Sequence, residues 1–212
     1  MSALAKSFPI YFIIIAISVG VGAGTNTLIG NSIGEKKENE ASLYVAQSLI
    51  FAVVISLIVT FVGISLSDYL LQLLGSSPEN IVLTREYLDI IFFCTVIVII
   101  QVSLNGTLNA QGDTKSYRNV LIFTFFLNIV LNPIFIFGFS IIPAYGISGI
   151  AIATVICQLL GTIYLAHKVY CCKLKEYLYL KCFVPKINFL GNLTYQSVPI
   201  MFSMFCLLYT SD

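Results

Sequence analysis

Charge is missing from five long stretches of this chain: residues 8–33, 41–67, 90–112, 119–166 and 187–211 hold no Asp, Glu, Lys or Arg. A helix needs roughly 20 mostly apolar residues to cross the ~30 Å hydrocarbon core of a bilayer. Each stretch is long enough for that, and 119–166 is long enough for two crossings. Turn-forming residues, Pro143-Ala144-Tyr145-Gly146, divide it. The pattern predicts an all-α, polytopic transmembrane bundle of about six spans, with the lipid bilayer as its first partner. Only 10% of residues are charged, against about 25% in soluble domains, so a soluble enzyme core is excluded. A net charge of +1 gives no footing for nucleic acid.

The distribution of charge says more than its total. If the spans alternate, the links 34–40, 113–118 and 167–186 share one side of the membrane. They carry Lys36, Lys37, Lys115, Arg118, Lys168, Lys173, Lys175, Lys181 and Lys186, nine of the 11 basic residues. The other side holds only Lys6 and Arg85. Basic loops stay in the cytoplasm, so the chain is expected to begin outside. Residues before 8 lack the form of a signal peptide, and a preceding span is therefore expected. The last span, with Pro199, stops at Asp212 without a polar tail and is expected to be truncated.

Within the spans, small and polar residues mark contact faces. The first span holds Gly20, Gly22, Gly24 and Gly30 with Thr25, Asn26, Thr27 and Asn31. Glycines let backbones approach and polar side chains can bond across helices, so this span is expected at the centre of the bundle. The second, from Ala41 to Ser67, is almost wholly aliphatic and aromatic and is expected at the periphery. Between them and the third span, Gly75-Ser-Ser-Pro-Glu79 reads as an outer turn, followed by a polar helix start with Arg85, Glu86 and Asp89.

The third span sets Gln101, Asn105 and Asn109 four residues apart on one slowly turning face. Two readings stand open: interhelical hydrogen bonding, or the lining of a cavity. Gly112-Asp113-Thr114-Lys115 then makes a polar turn. In the fourth span Asn128 and Asn132 lie one turn apart, and Pro133 lacks the N–H that would bond the Ile129 carbonyl. Oxygen ligands beside irregular backbone suit a Na+ or H+ coupling site; a proline hinge steadied by amides is the other reading. The fifth span opens Gly146-Ile-Ser-Gly149-Ile-Ala-Ile-Ala153-Thr154, a small-residue face suited to packing on the fourth, with the Thr154 hydroxyl beside it. Cys94, Cys157 and Cys206 read as apolar fillers. Cys171, Cys172 and Cys182 with the lone His167 do not complete a metal-binding set.

Four segments together resemble multidrug and toxic compound extrusion transporters of the NorM-like type: GVGAGTNTLIGNSIGEKKENEA at 20–41, LNGTLNAQGDTK at 104–115, NIVLNPIFIFG at 128–138 and GISGIAIAT at 146–154. The resemblance implies two six-helix lobes around a cavity that opens alternately to either side. This chain would supply family helices two to six, residues 1–167, as a partial N-lobe. The lobe-connecting link would be 168–190, and 191–212 would begin the next helix. The first helix and the C-lobe would be missing partners.

The resemblance further implies antiport of small organic, often cationic compounds against Na+ or H+ in a prokaryotic plasma or inner membrane, with no cofactor and no enzymatic step. It matches Asn128, Asn132 and Thr154 to the family's cation-coupling positions, with Pro133 as hinge. Asn26, Gln101, Asn105 and Asn109 would line the cavity. A first-helix aspartate cannot be carried over, and the amide of Asn132 stands where some relatives carry a second carboxylate. A lipid-linked oligosaccharide flippase of the same broad fold is the near alternative, opposed by the absence of Arg and Lys from 8–33 and 90–112. A non-transporting membrane subunit is the alternative of another class.

Overall fold

The computed structural model describes residues 3–73, 78–138, 143, 146–172 and 180–209. Six α-helices follow in order: α1 (Ala3–Gly34), α2 (Glu38–Leu73), α3 (Pro78–Ala110), α4 (Lys115–Phe137), α5 (Ile147–Tyr170) and α6 (Ile187–Tyr209), with a short 3-10 turn at Leu180–Phe183 before α6. Five of them contain stretches long and apolar enough to cross a membrane. The 23-residue α6 falls outside that set. Asn188, Asn192, Thr194, Gln196 and Ser197 dilute its first half.

Helices run past the ends of the apolar stretches. The outer link expected over 68–89 shrinks to 74–77, because α2 continues to Leu73 and α3 starts at Pro78. Proline favours the first helical position, where its missing N–H breaks no bond and its φ is already helical. Residues 74–77 lie outside the described residues, as do Ala144, Tyr145, Lys173, Lys175 and 210–212. The 119–166 stretch divides between Phe137, where α4 ends with Gly138 at φ 76°, and Ile147, where α5 starts, an interval that contains residues 143–146. A positive φ costs glycine little and stops α4 there.

At the centre α3 packs against α1, α2 and α5, and α1 also meets α2 and α6. Bare backbone makes the α1–α3 contact close. A Cβ on Gly106 would collide with the Gly22 carbonyl, and one on Gly22 with Val102. On its other side, a Cβ on Gly20 or Gly24 would collide with Met201 or Ser197 of α6. The hydroxyls of α1 do not cross to neighbours as expected: Ser18, Thr25 and Thr27 donate to carbonyls four residues back at 2.7, 2.8 and 2.9 Å. A local acceptor within one turn costs no extra ordering, so it wins over one on another helix.

Buried apolar clusters fill the seams. One joins Ile14, Leu88 and Phe92, a second Val21, Phe51 and Ile99, and a third Ile29, Leu104 and Leu165. Outward faces stay apolar: Phe61 is 75% exposed, and Leu57, Phe125 and Phe126 are more than half exposed. Faces this greasy suit hydrocarbon, which needs no polar cover. The most peripheral span is α4, which rests chiefly on α5, whereas α2 also touches α6 and the 3-10 turn. At the α4–α5 seam a Cβ on Gly149 would press on the Phe135 carbonyl, as the small-residue face predicts.

Candidate functional site

Along the α4–α5 seam the structure brings Asn128, Asn132 and Thr154 into one cleft of about 290 Å³, together with Thr124, Cys157 and Gln158. One helical turn separates the asparagines, so the Asn132 amide N–H donates to the Asn128 side-chain oxygen at 2.6 Å. Asn128 in turn directs its N–H toward the Cys157 sulfur at 3.8 Å. The Asn132 side-chain oxygen is buried with no hydrogen-bond partner. Thr154 donates to the Ile150 carbonyl at 2.9 Å, which leaves its oxygen lone pairs directed elsewhere.

Chemically the cleft offers amide and hydroxyl oxygens. An orphaned buried acceptor costs about 1–3 kcal/mol unless something donates or coordinates to it. A hard cation takes oxygen ligands of this type. Pro133 sits one residue beyond, inside α4, and cannot donate to the Ile129 carbonyl. Among the described residues no three His, Cys, Asp or Glu side chains converge to hold a metal ion. Any cation here would be held by neutral oxygens from α4 and α5.

The other candidates are dispersed. Gln101 is 3% exposed and faces α5. The Thr162 hydroxyl lies 3.5 Å from its side-chain oxygen, and Gly161 gives it room. Asn105 and Asn109 are half-buried, and the Asn105 side-chain oxygen is buried without a partner. Asn26 has an exposed side chain. No hydrogen bond joins these four to one another among the described residues. A step of four residues turns a helix about 40° past a full turn, so a row that starts against α5 drifts away from it.

The three basic links do meet at one end. Ile33, Glu38, Leu108, Gln111, Asp113, Lys168, Cys171 and Cys172 line a common depression of about 590 Å³. There Asp113 accepts from the Ser116 backbone N–H at 3.1 Å and from its hydroxyl at 2.6 Å, which fastens the start of α4. These bonds, with the nearby Lys168 charge, hold the Asp113 carboxyl below the usual range. Lys37, in an exposed pair with Glu35 at 2.6 Å, is raised above the usual lysine range by that bond.

One buried polar side chain was missed altogether. Gln47, fully buried in α2, bonds three backbone groups of the segment leading into α6: the carbonyls of Cys182 and Val184 at 2.8 and 2.7 Å, and the N–H of Lys186 at 2.9 Å. Its only signal in the sequence is an amide in the most aliphatic span.

Comparison with known proteins adds an independent line. The MatE family model matches residues 1–134. The chain is 31% identical over 157 residues to the probable multidrug resistance protein YoeA of Bacillus subtilis (strain 168), covering 74% of this chain and 34% of that protein. It is 28% identical over 154 residues to the FAD transporter of Shewanella oneidensis, covering 73% and 34%. An inward-facing multidrug resistance MATE transporter of the MOP superfamily superposes with a TM-score of 0.85 at 26% identity, over 95% of this chain and 45% of that one. The chain thus spans about a third of the length of the two named relatives and under half of that transporter.

Proposed function

Because the chain belongs to the MatE family, we propose that it acts as part of a secondary exporter of small organic compounds, driven by inward movement of Na+ or H+. The cleft of Asn128, Asn132 and Thr154 is the coupling site in this reading. The observation that carries it is the buried, unpartnered Asn132 oxygen beside the Asn128 amide and the Thr154 hydroxyl.

A coupling ion shifts a conformational equilibrium only by its different affinity for the two states. At this seam the difference arises from α4 itself. Pro133 removes one backbone bond, so a change in helix bend costs less there than elsewhere. An ion held between Asn132 on α4 and Thr154 on α5 would favour one bend by drawing the two helices together. Neutral ligands suit Na+, whose binding needs no titrating group; an H+ would need a carboxylate contributed from outside these two helices. One named relative is a probable multidrug resistance protein and another an FAD transporter, so family membership alone does not set the cargo.

Accumulation of a fluorescent organic cation by everted vesicles carrying the whole exporter, driven separately by a Na+ and a pH gradient, tests the proposal. Asn132→Ala should lose most of its ion dependence at unchanged membrane level. Unchanged ion dependence would remove Asn132 from the site, and loss of the protein from the membrane would assign it to folding.

A further inference from the structure

Gln47 is fully buried near the start of the apolar stretch 41–67, where an unsatisfied carboxamide would be costly. Every hydrogen bond it makes goes to backbone more than 130 residues away. It donates twice, to the Cys182 and Val184 carbonyls, and accepts once, from the Lys186 N–H, so both ends of its amide are used. Those three residues span the exit of the 3-10 turn and the approach to α6. One turn earlier on α2, Tyr44 adds a second attachment. Its hydroxyl accepts from the Asn192 amide at 3.0 Å, and its ring lies 4.7 Å from that of Phe189, with the Lys186 ammonium 5.8 Å from the far ring's centroid.

The consequence is visible in burial. Cys182 is 9% exposed while its neighbours Phe183 and Val184 are 43% and 59% exposed. The segment is pinned at its backbone and open at most of its side chains. Hydrophobic burial does not hold it; the Gln47 amide does.

We infer that Gln47 is a positioning residue that fixes the segment 182–186 and the start of α6 to α2. The link into α6 is therefore anchored at its far end, and whatever follows α6 moves from a point set on α2. That mechanical consequence rests on the two-lobe transporter reading. The anchoring does not, and the two can fail separately.

Cys182 itself reports on the anchor. In a variant whose other five cysteines are replaced by serine or alanine, maleimide labelling of Cys182 in membranes should be slow in the parent. It should be roughly tenfold faster in Gln47→Leu, which removes all three bonds and so makes local opening easier. Gln47→Glu keeps the acceptor for Lys186 and loses both donors, and should fall between them. A matching variant with Cys157 alone monitors the α4–α5 seam and should not change. Parent-like labelling of Cys182 in both Gln47 variants would overturn the anchor. So would an equal rise at Cys157, which would mean general loosening. If Gln47→Leu fails to reach the membrane, Gln47→Glu against the parent decides alone.

Discussion

Asn132 donates to Asn128 at 2.6 Å while its own side-chain oxygen stays buried and unpartnered. The pair is satisfied on one side only. That asymmetry leaves one amide oxygen of the pair for the coupling role proposed above.

Converting that acceptor to a titrating group should change what drives transport. Asn132→Asp places a titratable carboxyl in the α4–α5 cleft. Efflux by this variant should depend on pH more steeply than efflux by the parent at the same fixed Na+. Parallel pH profiles for the two proteins would contradict the placement of the cleft on the coupling path.

Close helix contact on α1 gives a stability prediction. Gly106→Val pushes side-chain atoms into the Gly22 carbonyl and should cost about 1–3 kcal/mol by overpacking, seen as a lower melting temperature in detergent. Gly30, which has open space around it, serves as the control. Gly30→Ala should be neutral or stabilise by up to about 1 kcal/mol.

The turn before α4 should be acid-sensitive. The Asp113 carboxyl is held below its ordinary pKa by Ser116, so the folded state favours its charged form. The stabilisation is complete above the unfolded carboxylate pKa of about 3.9 and is lost as pH falls through the lower folded value. Asp113→Ala should cost about 1 kcal/mol at neutral pH, as loss of a helix cap does. It should also flatten the pH dependence of melting below about pH 4. An unaltered acid limb would show that the bonds to Ser116 contribute nothing.

Sidedness is open to labelling. A single cysteine at Lys37 or Lys168 should react with a membrane-impermeant reagent only after permeabilisation, as the basic asymmetry of the links predicts. Reaction in intact cells would invert the topology.

Much of this architecture is legible in the sequence because hydrocarbon imposes a length and a composition. The five charge-free stretches mark the helices, Gly149 marks the α4–α5 seam, and Asn128 with Asn132 marks one face by spacing alone. Helix ends are not legible the same way. Hydropathy reports where lipid stops, and α2 and α3 keep their hydrogen bonds beyond that point. The α1 hydroxyls misled because a backbone acceptor one turn away competes with any neighbour. Gln47 could not be read, since its partners are peptide groups near residue 184 and peptide groups carry no sequence signature.

The glycines of α1 sit on opposite sides of one cylinder: Gly20 and Gly24 under α6, Gly22 under α3. Successive even positions are about 200° apart on a helix, so a run of alternate glycines strips bulk from two faces at once. Interlocking side chains normally hold helix axes 8–10 Å apart and resist sliding. Here the notches that glycine leaves are filled from both neighbours, by Val102 of α3 and by Met201 and Ser197 of α6. What these three residues encode is slimness on two faces, so that α1 is the shared seat from which the positions of α3 and α6 are both set.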